Sequence, residues 1–125
     1  MSLLWVFAGA GVGGVLRYGI GAFVNRFSRG VFPWSTFFIN VTGCFVMGGL
    51  MALVEERGTP STGARLFGAV GILGGYTTFS SFGYEVESLI DGKKSKMGVA
   101  YAAASVGVGW AAVFAGRLVV RVCGG

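Results

Sequence analysis

The chain has 125 residues, 54% of them hydrophobic and only 12% charged, with a net charge of +5 and no histidine. Soluble domains carry roughly 25% charged residues, so this composition excludes an ordinary soluble domain and fits one all-α membrane domain over residues 1–125. Without imidazole, and with Cys44 and Cys123 far apart, most zinc, iron and nucleophile–base sites are excluded and no enzyme is expected; the scattered cations suit lipid headgroups better than nucleic acid.

Residues 3–24 form the first expected span, about 33 Å long as a helix and longer than the apolar core of a leader peptide. Gly9 to Gly14 match G-x-G-x-x-G, but a dinucleotide site needs a preceding strand and an acid about 20 positions on. No acid precedes Glu55. Gly9 and Gly13, four apart, read instead as a small-residue face for close helix packing, and Gly71 and Gly75 repeat that spacing. Arg17 is the only cation well inside this span; it faces a cavity or partner, or snorkels to the headgroups.

After a polar loop at 25–30, the second span covers 31–54 and opens on Pro33-Trp34, where proline suits a first helical turn and tryptophan the interface. It carries Asn40, whose amide needs an acceptor: another helix, or an anion for which its hydrogens act as ligands. Glu55 to Gly63 is the next loop. The third hydrophobic segment, 64–90, has halves too short to span unless joined through the sequence Gly74-Gly75-Tyr76-Thr77-Thr78-Phe79-Ser80-Ser81-Phe82, with a helix break expected at 74–78. A lysine-containing loop at 91–96 leads to the fourth span, 97–122.

With four spans, loops one and three share a side and hold five cations: Arg26, Arg29, Lys93, Lys94 and Lys96. The other side holds four: Arg57, Arg65, Arg117 and Arg121. Topology follows a clear cationic excess, and here there is almost none, so insertion in both orientations is allowed. Two oppositely inserted copies then pack as an antiparallel homodimer. The alternative is one orientation, weakly set by loop three.

A helix broken at bilayer depth frees backbone groups that persist only in protein, in a wet cavity or on an ion. The carbonyls freed at 74–78 favour a cation. Asn40, Ser81, Tyr101 and Ser105 can all donate hydrogen bonds and Arg17 adds positive charge, which favours an anion. Phe79 and Phe82 share one helix face and offer positive ring edges; Ser81 and Glu85 share another side, and Tyr101 and Ser105 lie one turn apart. Each of these has an ordinary packing or helix-bridging alternative.

Residues 74–82, GGYTTFSSF, together with Asn40 and Tyr101-x-x-x-Ser105, closely resemble the Fluc/CrcB fluoride channel family over essentially the whole chain. Ser81 stands where the family often has threonine, and Gly109 offers no hydroxyl where some relatives have one. The resemblance implies four transmembrane helices with a broken third helix, assembled as an antiparallel dual-topology homodimer in the plasma (inner) membrane of a prokaryote. It implies passive fluoride export that relieves toxicity. A central sodium ion would be held by the carbonyls of Gly74 and Thr77 from both subunits. Asn40, Phe79 and Phe82 would line the fluoride path, Tyr101 and Ser105 would continue it, Ser80 or Ser81 with Glu85 would lie nearby, and Arg17 would shape a vestibule. The main rival is a small proton-coupled dual-topology exporter using Glu85; a membrane subunit without transport is the third possibility.

Overall fold

The computed structural model describes residues 1–124, and the regular structure among them is helical. Helix α1 is Ser2–Phe27, α2 Trp34–Arg57, α3 Thr62–Arg65, α4 Gly74–Tyr76, α5 Phe79–Asp91 and α6 Ser95–Gly124, with a wider, π-wound turn at Leu66–Leu73 joining α3 to α4. Three helices, α1, α2 and α6, are long and apolar enough to cross a membrane. The third hydrophobic segment is assembled from α3, the π-wound stretch, α4 and α5.

Local chemistry sets the ends. A helix opening at residue 31 with Pro33 in its first turn is not what forms: Pro33 is the N-cap of α2, and its carbonyl accepts the Phe37 N–H at 3.1 Å. The residue before a proline is pushed out of the α region, so Phe32 cannot belong to the helix. Its ring packs instead on Trp34, Phe37 and Tyr101. At the other end Gly58 stops α2 with φ +86°, which only glycine adopts easily. Ser61 caps α3 by accepting the Ala64 N–H.

Two close helix pairs make the body. Lipid tails are as apolar as leucine, so membrane helices associate through backbone approach at small residues. A Cβ at Gly48 would lie 2.8 Å from the Val113 carbonyl carbon, and one at Gly116 would lie 2.9 Å from the Gly49 nitrogen, which ties α2 to α6. The glycine spacings in α1 and the third segment meet each other: a Cβ at Gly9 would fall 2.9 Å from the Gly71 Cα, and one at Gly13 2.8 Å from the Tyr76 nitrogen. Where α2 and α6 end, Arg117 and Arg121 both bind Glu55, at 2.9 and 3.1 Å. Large apolar side chains such as Phe7, Val15, Phe23, Val106, Trp110 and Phe114 point outward. Outward apolar bulk on spanning helices is what a bilayer solvates.

Of residues 74–78, expected to be non-helical, Gly74 to Tyr76 are helical; only Thr77 (φ −79°, ψ 157°) and Thr78 (φ −148°, ψ 122°) are extended.

Candidate functional site

The Thr77–Thr78 step is shaped from α2. In a continuous helix the Thr78 N–H would bond the Gly74 carbonyl four residues back. It bonds Asn40 Oδ1 instead, at 2.9 Å, while Asn40 Nδ2 donates to the Thr78 carbonyl at 2.9 Å. One side-chain amide thus pairs with both polar groups of one residue, and the Gly74 carbonyl is left without its helical donor. Thr78 then starts α5 as its N-cap, accepting the Ser81 N–H at 3.3 Å and donating to Ser81 Oγ at 3.1 Å. Thr77 ends α4: its N–H and its hydroxyl both donate to the Leu73 carbonyl. Its own carbonyl accepts from Arg17 Nη1 at 3.4 Å.

Two cavities adjoin this step, and Thr78 lines both. The larger, about 520 Å³, brings together Asn40, Gly74, Thr77, Phe79, Phe82 and Ser105 from α2, the third segment and α6. Its walls are otherwise mostly apolar, with Cys44 and Met47 from α2 among them. The Phe79 and Phe82 ring centroids are 5.6 Å apart, and Phe79 is 83% exposed. The smaller cavity, about 320 Å³, gathers Arg17, Thr36, Ser81 and Glu85.

Tyr101 lines neither cavity. It is fully buried, its ring against Phe82 and Phe32, and its hydroxyl donates to Glu85 Oε2 at 2.8 Å. Thr36 Oγ1 donates to the other oxygen, Oε1, at 2.7 Å. Both carboxylate oxygens are therefore engaged, so Tyr101 and Ser105, one turn apart on α6, serve different surroundings. Ser80 also lines neither cavity; its hydroxyl lies 3.4 Å from Thr78 Oγ1.

Thr36 and Thr78 were not singled out by the sequence reading. Thr36 precedes Asn40 by four residues, which puts both on one face of α2, and Thr78 is of the residue type that caps helices; both signals are present in the sequence. Arg17 lies half-buried and lines the smaller cavity.

Among the described residues no group of three or more His, Cys, Asp or Glu side chains is placed to hold a metal. The available cation donors are neutral backbone oxygens, first the Gly74 carbonyl and then that of Thr77, which Arg17 also approaches. Such oxygens suit a hard cation.

A family model described as "CrcB-like protein, Camphor Resistance (CrcB)" matches residues 4–117. Similar proteins include one from Rhizobium etli, 43% identical over 121 residues and 97% of each chain. One from Rhizobium meliloti is 41% identical over 95% of each. A third, from Thermus thermophilus, is 44% identical over 90% of this chain and 88% of its own. All three bear the name "Fluoride-specific ion channel FluC".

Proposed function

The chain belongs to the CrcB-like protein family, and from that membership we propose that it is a fluoride-selective channel that lets fluoride leave the cell passively, relieving toxicity. It is a membrane protein and not an enzyme. The observation that carries the reading is Asn40 on the wall of the larger cavity, together with the phenyl rings of Phe79 and Phe82 and the hydroxyl of Ser105. Asn40 has two amide hydrogens; the Thr78 carbonyl takes one, which leaves one for an ion. Fluoride is small and strongly hydrated, so its path must replace water with donors that bind adequately without trapping it. An amide hydrogen, positive ring edges and one hydroxyl form such a graded set.

The functional unit is an antiparallel dual-topology homodimer in the plasma (inner) membrane, with the third helix broken at bilayer depth. The five-to-four cation balance supports the two orientations. The exposure of Phe79 and the open space around Gly74, where an added Cβ meets nothing, support a second copy covering that face. The Gly74 and Thr77 carbonyls of two copies would hold a sodium ion, which would supply fixed positive charge between the subunits and hold them together. Tyr101, Thr36 and Glu85 form a hydroxyl–carboxylate relay beside the path, with Ser80 and Ser81 at the N-terminus of α5. Arg17 would shape the potential of the adjacent cavity, which it shares with the Glu85 carboxylate.

Purified protein in liposomes loaded with potassium fluoride, with a potassium ionophore to prevent charge build-up, should release fluoride whether or not a protonophore collapses the proton gradient. Flux that needs the gradient points to a proton-coupled exporter using Glu85. Absence of flux points to a subunit without transport.

A further inference from the structure

Resting on the fluoride-channel reading, we propose that Thr42 and Tyr76 are positioning residues for the fluoride path. They form one hydroxyl pair that fixes the rotation of the chain entering the Thr77–Thr78 step. Helix α2 contacts three consecutive residues here, Tyr76 and the two of the step. Asn40 pairs with the backbone of Thr78, Thr42 Oγ1 lies 2.8 Å from the Tyr76 hydroxyl, and Gly43 leaves room for the Thr77 methyl, which a Cβ at 43 would overlap.

The direction of the hydroxyl bond follows from hydrogen counting. Thr42 has one hydroxyl hydrogen, and its oxygen lies 2.8 Å from the Phe38 carbonyl and 3.1 Å from that of Ile39, the backward bond of a threonine within a helix. With that hydrogen spent, the Tyr76 O–H donates to Thr42. Tyr76 is buried, so its donor depends on this acceptor.

Tyr76 is also the last residue of α4. Its backbone nitrogen packs close to Gly13 of α1, where a Cβ would not fit, and its hydroxyl is tied to α2. Ring and backbone are therefore held by two different helices, which sets the direction of the Gly74 and Thr77 carbonyls and the register at which Thr78 meets Asn40. Without the hydroxyl pair, α4 gains rotational freedom. Asn40 must then follow Thr78, and its spare hydrogen loses its aim along the path.

The test compares Tyr76→Phe, Thr42→Val, their double variant and Thr42→Ser in liposomes. Fluoride and chloride flux are each normalised to recovered dimer. Thr42→Val orphans a buried donor and should cut fluoride flux about tenfold, whereas Tyr76→Phe removes that donor and should cut it about threefold. The double variant should match Tyr76→Phe, because the two groups act as one. All three should narrow the preference for fluoride over chloride, and Thr42→Ser should behave like the parent. The proposal is overturned if Tyr76→Phe matches the parent in both flux and preference, or if flux falls with preference intact, since that is a packing role. It is equally overturned if the two single losses multiply in the double variant, or if Thr42→Ser fails along with Thr42→Val. Absence of fluoride flux in the parent would reject the channel reading itself, a result distinct from all of these.

Discussion

Replacing Asn40 by Asp changes only one terminal group of the side chain but reverses its chemistry at one of its two partners. The acceptor toward the Thr78 N–H survives, so that 2.9 Å bond remains. The donor toward the Thr78 carbonyl is lost, and two acceptor oxygens then face each other where a 2.9 Å hydrogen bond stood. Leaving a fully buried acceptor unpaired costs about 1–3 kcal/mol of stability, and this part-buried one should cost toward the lower end. The effect on conduction is larger. A fluoride within reach of residue 40 would sit about 4 Å from a carboxylate, and two like charges at that distance repel by about 4 kcal/mol at an effective dielectric of 20. Each 1.36 kcal/mol is a factor of ten in rate, so flux should fall roughly a thousandfold. Fluoride-electrode recordings of liposome efflux, beside thermal unfolding in detergent, separate the two effects. A folded Asn40→Asp protein conducting within about threefold of the parent would refute the reasoning and leave Asn40 only its contact with Thr78.

Phe82→Ile and Phe79→Ile remove the ring edges; each should lower flux roughly five- to tenfold, about 1 kcal/mol in the barrier, while the protein elutes unchanged in size-exclusion chromatography. Parent-like flux in both would make them packing residues. Ser28→Lys with Val31→Lys raises one side of the charge balance from five to seven; this should fix one orientation and abolish activity, and coexpression with an oppositely biased variant should restore it. Full conduction by the single-orientation protein would contradict inverted pairing. Gly116→Ala puts a Cβ against the Gly49 nitrogen and should cost about 1–3 kcal/mol in detergent unfolding, whereas a Cβ at Gly74 meets nothing in its own chain. Gly74→Ala should leave the protomer folded yet disrupt dimer and flux, and a dimer with normal flux would place Gly74 away from the second copy.

Much of the architecture is written in local signals. The apolar runs locate α1, α2 and α6, and the four-residue glycine spacings of α1 and the third segment mark the faces that meet, because backbone approach at glycine leaves that period in sequence. Pro33 was read one step too far inside α2, since its effect on Phe32 outweighs its own tolerance of a first turn. Gly74 to Tyr76 were read as non-helical because adjacent glycines suggest a break; the break is decided instead by Asn40 capturing the Thr78 N–H, a contact across 38 positions. The same limit hid Thr36 at Glu85 and Thr42 at Tyr76: a lone hydroxyl in a span looks alike whether it bonds its own helix or another. Residues within GGYTTFSSF were legible as a group, but their division between two cavities depends on the helix face each occupies once Thr78 has set where α5 begins.

Current through the reconstituted protein in a planar bilayer, under a tenfold fluoride gradient with equal pH on both sides, tests the central claim most directly. Passive fluoride selectivity predicts a reversal potential of about 59 mV in magnitude, the Nernst value for one monovalent ion, unmoved when a pH gradient is imposed. A reversal that follows the pH gradient, or a membrane that stays silent with inserted protein, would contradict it.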